Sequence, residues 1–251
     1  MKGNGPNGKF GEKKRSQWKK KRSFCEKNRP KSEKRRSNIK EQLLNLIYPQ
    51  VCGICGKGKN TYLCKKCENK LKEIAIFGKD EYLDKYFENH YYIFKYDSII
   101  RNLIIDYKFN EKPYLYRSIL EFLNKYQKKY VQFEIYDIII PVPISKKRNK
   151  ERGYNQSFLI AREIAKNERV KLRNNVISKV KNNNTQSKLN KEERAENVKN
   201  VYKITNNKEI IDKNILLIDD IFTTGATLNE CSKMLKQASA KKVDVLTIAK
   251  D

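Results

Sequence analysis

Apolar positions along the chain fall into two textures. In the first half they recur at helical spacing. Ile39, Leu43, Leu44, Leu46 and Ile47 predict one short helix that ends at Tyr48-Pro49. Residues 69–90 are mixed, anchored by Leu71, Ile74 and Ile76. Tyr91 to Phe94 alternates as a strand does. Asp97 to Tyr107 reads as an amphipathic helix with Ile100, Leu103, Ile104 and Tyr107 on one face, and a further helix covers about Tyr114 to Tyr126.

From residue 135 onward, short apolar runs alternate with helical periods. Ile135–Val142 is a buried strand stopped by Pro141 and Pro143. Tyr154–Lys166 is a helix with Phe158, Ala161 and Ala165 inward. Val176–Val180 and Val201–Ile204 are short strands, Ile215–Ile218 a strand, Leu228–Ala238 a helix and Val243–Ala249 a last strand. Near-continuous apolar strands alternating with helices predict a parallel α/β sheet. The stretch from Asn182 to Asn197 is polar throughout and reads as a mobile loop. A polar loop this long inside a compact domain is usually functional.

Charge changes the picture at the amino terminus. The 251 residues carry a formal +27, and residues 1–40 alone hold 16 Lys/Arg against 3 Glu. With so few apolar residues that segment cannot offset its ordering entropy and is expected to be a disordered tail. Its chemistry suits a polyanion, nucleic acid before a membrane surface. No run approaches the ~20 apolar residues of a spanning helix. The first residues are polar and glycine-rich, unlike a secretion signal. A soluble, cytoplasmic protein without membrane insertion is expected.

Four of the six cysteines, Cys52, Cys55, Cys64 and Cys67, form C-x2-C-x8-C-x2-C. Each C-x-x-C supplies two thiolates from one tight turn, and two such turns complete a tetrahedral S4 shell suited to Zn²⁺. Disulfides or redox C-x-x-C pairs are the competing readings. A cytosolic setting disfavours the first and the duplication disfavours the second. The four ligands leave no open position, so the metal is structural. Cys25 reads as an incidental thiol in the tail, and Cys231 as core filler on the stripe Leu228, Cys231, Leu235, Ala238. His90 has no partner at ligand spacing and reads as structural or surface. Trp18 is a lone aromatic able to stack on a base.

The most specific chemistry lies in Ile215–Leu228. The strand delivers Asp219 and Asp220 at its carboxyl end, where open parallel sheets bind ligands. Two carboxylates there suit vicinal sugar hydroxyls, or Mg²⁺ through ligand oxygens. Thr223, Thr224, Gly225, Ala226 and Thr227 follow, with Gly225 allowing the turn. A helix opening at Thr227, with Glu230 at capping-box spacing, adds amide donors. Carboxylates for ribose hydroxyls beside amides for a phosphate describe a ribose 5-phosphate site. The string resembles the phosphoribosyl pyrophosphate (PRPP) binding motif of type I phosphoribosyltransferases.

Two other segments fit that site. After Pro141-Val142-Pro143 come Lys146, Lys147, Arg148, Lys150 and Arg152, then Gly153-Tyr154-Asn155-Gln156, a cationic loop able to hold a pyrophosphate. Asn184 to Asn197 can close over a ligand and bring Lys188 or Arg194 to its phosphates. Together with the cysteine module, Glu151–Gln156, Thr185-Gln186 and Glu193-Arg194 to Asn197, these segments resemble the ComF family from about Leu43 to the carboxyl terminus. The resemblance implies a zinc-ribbon module joined to a type I phosphoribosyltransferase-like α/β domain, a parallel sheet flanked by helices. It also implies a role in natural transformation, with incoming single-stranded DNA and other transformation proteins as partners. The expected organisation is a basic tail at 1–40, a zinc-ribbon module at 41–80 and the phosphoribosyltransferase-like domain at 81–251.

Catalysis is the open point. Ribosyl transfer needs a stabilised leaving pyrophosphate and a nucleophile held near C1. The candidates above serve the first need. Purine-salvage enzymes resembling this loop often carry a third acid where Thr223 stands. The sequence therefore leaves two functions: a DNA-uptake protein that binds PRPP or a similar ligand and single-stranded DNA, or an active transferase on an unidentified base or amine.

Overall fold

The computed structural model describes residues 51–57, 60–109, 114–126, 130–181 and 200–251. They belong to one compact unit, Val51–Asp251. The basic tail, the helix expected at 39–46 and the polar stretch 182–197 lie outside the described residues.

After the cysteine segment come helix α1 (Lys65–Ile74) and strands β1 (Ala75–Glu81) and β2 (Asn89–Lys95). Helices α2 (Ser98–Phe109) and α3 (Leu115–Tyr126) lead to strand β3 (Ile138–Pro141). Helices α4 (Lys146–Arg152) and α5 (Gln156–Glu168) follow, then the short strands β4 (Lys171–Leu172), β5 (Ile177–Lys179) and β6 (Tyr202–Ile204). Strand β7 (Asn214–Phe222), helix α6 (Ala226–Gln237) and strand β8 (Lys242–Lys250) complete the chain.

Six strands form one sheet in the order β1-β2-β8-β7-β3-β4, and β5 and β6 pair separately. Only β1 runs antiparallel in the large sheet. Period-2 alternation sorts the central strands onto two cores. Ile139, Leu216, Ile218, Leu246 and Ile248 face α2, α3 and α5. Ile138, Ile140, Ile215, Leu217, Val243 and Val245 face α6 and the β5–β6 pair. Strands buried on both faces must be apolar at nearly every position, which is why these runs were legible.

The inward face of α2 is the expected one, with Ile100, Leu103, Ile104 and Tyr107 all buried. In α5 the stripe is Ile160, Ala161, Ile164 and Ala165, while Phe158 is only half-buried. Residues 69–90 hold α1, β1 and the start of β2, none with a clean period. Strand β1 is an edge strand with an irregular register between Ala75 and Gly78 and a positive φ at Phe77, so its pattern is broken where the strand is.

The sheet order creates a crevice. From β3 the chain runs through α4 and α5 to β4 on one side. Its neighbour on the other side, β7, runs through α6 to β8. The two connections part between β3 and β7, leaving their carboxyl ends open to a ligand.

Candidate functional site

At the carboxyl end of β7 stand Asp219 and Asp220. The strand continues past them to Phe222, with Ile221 and Phe222 registered on Ala249 and Lys250 of β8. The aspartates therefore sit on a rigid ladder rather than in the loop after it, because the strand runs past Ile218, where it was expected to end, to Phe222. Asp219 Oδ1 accepts from Ser157 Oγ at 2.7 Å and from the Asp220 amide at 2.9 Å. Burial, and then the charge of Asp220, push the Asp219 carboxyl up to about 7. Asp220 is buried and its Oδ1 lies 2.9 Å from Lys108 Nζ.

The loop after β7 turns at Gly225, which has φ 72° and is the residue preceding the first turn of α6. A Cβ on Gly225 would meet the Phe222 ring at 2.5 Å, so both the backbone and the space beneath demand glycine. This corrects the expected helix start. The helix opens at Ala226, no side chain caps it, and the Thr227/Glu230 capping box does not form. Thr224 Oγ1 instead accepts from the Ala226 amide at 3.4 Å. The first-turn amides of a helix have no intrahelical acceptor and are available to an anion.

The loop rests on an aromatic stack. His90 lies 4.2 Å from the Phe222 ring centroid at 22°, and Phe87 meets Phe222 edge-on. His90 is fully buried, shares a hydrogen bond with Thr247 Oγ1 at 2.8 Å, and is pushed down to about 3 by burial. It is neutral and structural.

Opposite the loop, the expected cationic loop is a helix, α4. Ser145 Oγ accepts from the Arg148 amide, and Gly153 ends the helix at φ 76° with its amide on Asn149 O. Sequence periodicity had no purchase there, because α4 buries none of its residues. Asn155 ties the two halves of this wall. Its Oδ1 accepts from the Ser157 amide at 3.0 Å, and its Nδ2 donates to Val142 O at 3.0 Å.

Between the walls lies a cleft of about 810 Å³. Asp219, Asp220 and residues 223–227 line one side; Lys147, Arg148 and Arg152 line the other. Lys146 and Lys150, also on α4, do not line it, and Gly153 lies on a neighbouring hollow with Tyr154 and Asn155. The Arg152 guanidinium stacks 4.7 Å from the Phe109 ring. Lys188 and Arg194 lie outside the described residues.

Two cleft cations escaped the sequence reading. Lys179 on β5 is pushed down to about 8, by burial and then by the charge of Arg148, and sits 5.6 Å from the Tyr202 ring. Lys108 is the penultimate residue of α2, one residue past the expected span Asp97–Tyr107. An isolated lysine at a helix end carries no motif, so only the fold could place either residue.

The four sulfur atoms of Cys52, Cys55, Cys64 and Cys67 lie within 4.8 Å of one another, with Cys55 and Cys64 3.6 Å apart. A ZnS4 tetrahedron with bonds of about 2.3 Å has edges of about 3.8 Å, so the donors fit that ion. Cys64 precedes α1, and the Cys67 amide, then its sulfur neighbours, bring it down to about 7 against the opposing effect of burial. Burial pushes Cys67 up. A bound cation would draw every thiol to thiolate. The knuckle is seated on α3. Ser118 Oγ donates to Tyr62 O at 2.5 Å and accepts from the Gly53 amide at 3.2 Å, and Glu68 accepts from Tyr126 and Lys125.

An aspartate pair on a parallel strand, followed by a glycine-turned hydroxyl loop opening a helix, defines a phosphoribosyltransferase-type domain. The phosphoribosyl transferase domain family matches residues 155–251. Competence protein F of Haemophilus influenzae is 29% identical over 218 residues, 85% of this chain and 89% of that protein. Competence protein ComFC of Bacillus subtilis is 27% identical over 82% of this chain and 80% of its own length. DNA utilization protein YhgH of Escherichia coli K12 is 27% identical over 109 residues, 43% of this chain and 47% of that protein. The similarity to the competence proteins F and ComFC runs over 79–85% of this chain. Among the described residues, no helix is long and apolar enough to cross a membrane.

Proposed function

We propose that this protein serves DNA uptake in natural transformation, binding PRPP or a related ribose 5-phosphate ligand in the cleft and single-stranded DNA on its cationic surface. The observation that carries the reading is the cleft itself, which faces two carboxylates and an amide loop with three cations of α4. Asp219 and Asp220 accept from the ribose hydroxyls. Thr223, Thr224, Gly225, Ala226 and Thr227 hold the 5-phosphate. Arg152, with Lys147 and Arg148, faces the pyrophosphate. Mg²⁺, carried in with PRPP, would serve the charge of its pyrophosphate. Zinc in the Cys52/Cys55/Cys64/Cys67 shell is structural. The names of the competence and DNA-utilization relatives support the pathway, and the α4 cations support a phosphate-backbone partner.

The test is calorimetric titration with Mg-PRPP for the wild type and Asp220→Asn. Saturable binding lost in the variant is expected; no binding by the wild type sinks the reading. Incubating the same samples with a panel of bases and assaying pyrophosphate decides whether the ligand is also turned over. Release that depends on an added base would make the protein a transferase.

A further inference from the structure

The cleft is completed by a residue from outside the segment that matches the phosphoribosyl transferase domain. Lys108 Nζ is 2.9 Å from Asp220 Oδ1, and both side chains are largely withdrawn from solvent, at 19% and 9% exposure. Surface ion pairs contribute little because water screens them and their side chains are free to wander. Neither condition holds at Lys108. Its neighbour Tyr107 is fully buried, donates its hydroxyl to Gln156 O at 3.0 Å, and offers its carbonyl to the Tyr154 hydroxyl. On the other side, Phe109 lies under the Arg152 guanidinium. The end of α2 is thus fastened on both flanks of Lys108, to the start of α5 through Tyr107 and to the end of α4 through Phe109.

Chemistry at the aspartates calls for a cation. Two adjacent carboxylates at a buried strand end repel each other, and a carboxylate is the acceptor that a sugar hydroxyl calls for. A divalent ion is one way to supply the missing charge. Here an ammonium already supplies it, on one oxygen of Asp220, and its field also favours the charged form of Asp219. Asp220 keeps its second oxygen for a hydroxyl.

Accepting the ribose 5-phosphate site proposed above, on which this rests, we propose that Lys108 is a positioning residue of that site. It acts as a built-in cation that offsets the charge of the aspartate pair and keeps Asp220 aimed at the sugar diol, so that a ribose 5-phosphate is held without a divalent metal. Metal would then matter for the pyrophosphate of a larger ligand rather than for the sugar.

The experiment is calorimetric titration of the full chain with ribose 5-phosphate, in EDTA and in excess Mg²⁺, for the wild type, Lys108→Met and Lys108→Arg. The wild type is expected to bind equally well in both conditions. Lys108→Met is expected to lose about tenfold to a hundredfold in EDTA, the range for removing a charged partner, and to regain much of it in Mg²⁺. Lys108→Arg is expected to stay metal-independent. A merely structural ion pair would lower the melting temperature of Lys108→Met without creating a metal requirement. Wild-type binding that needs Mg²⁺ overturns the proposal whatever the variants do, and so does Lys108→Met binding in EDTA with wild-type affinity. If the wild type binds ribose 5-phosphate in neither condition, the ligand assignment itself has failed. Circular dichroism of Lys108→Met confirms that it folds; if it does not, the wild-type metal dependence and Lys108→Arg decide the matter.

Discussion

The imidazole of His90 and the ring of Phe222 stack at 4.2 Å, and the loop after β7 turns directly on that stack. The sheet's one histidine is therefore held neutral beneath the site. Its folded value of about 3 lies below the 6.5 of an unfolded histidine. The unfolded chain binds the extra proton, so His90 contributes stability above about pH 6.5 that is lost as pH falls toward 3. The slope from this group approaches about 1.4 kcal/mol per pH unit. Urea unfolding of wild type and His90→Phe between pH 7 and pH 4.5 checks this. The variant is expected to lose stability less steeply on acidification; parallel curves would show that His90 does not titrate.

Gly225→Ala is expected to destabilise by about 1–3 kcal/mol, from the left-handed φ and the contact with Phe222. Replacing Phe222 by Leu removes the ring that the new methyl strikes. Gly225→Ala should therefore cost less in a Phe222→Leu background, leaving only the backbone term. A double-mutant cycle by denaturant unfolding measures the difference. Strict additivity would mean that the ring does not oppose the methyl.

One zinc per chain is expected by elemental analysis. Cys64→Ser is expected to lose it, because the tetrahedral shell needs all four sulfur donors. Structural zinc in small modules contributes on the order of 10 kcal/mol, so removing it should release residues 51–67 from α3. Faster amide exchange at Gly53, whose N–H donates to Ser118 Oγ, reports that release. Full metal content in Cys64→Ser would argue against the four-sulfur shell.

For single-stranded DNA, Lys147→Ala with Arg148→Ala is expected to weaken binding and flatten its salt dependence. Each lost phosphate contact lowers the slope of log K against log salt by roughly 0.7. Fluorescence anisotropy across a salt series measures it. An unchanged slope would place the DNA elsewhere on the protein.

The strands and the aspartate loop were legible because burial on both faces and a fixed strand–loop–helix order leave strong marks in sequence. Ile215 to Phe222 carries both at once. The rest was hidden for particular reasons. Helix α4 has no apolar stripe, since it buries nothing, so it reads as a charged loop. Strand β1 is an edge strand broken at Phe77. Thr227 and Glu230 match a capping box by spacing, yet Gly225 in the left-handed region already sets the helix start one residue earlier. Lys108 and Lys179 reach the cleft from elements distant in sequence, and nothing local marks them.

The fastening of α2 to α5 bears on how such a domain can be inherited. A fragment beginning at residue 155, where the match to the phosphoribosyl transferase domain begins, would keep both aspartates and the glycine-turned loop after them. It would leave behind Lys108, Lys147, Arg148 and Arg152. Grafted onto another protein, that fragment would carry the signature of the site without its counter-charge. Recombination that preserves the site has to move α2 and α4 together with the carboxyl-terminal strands, as one heritable block.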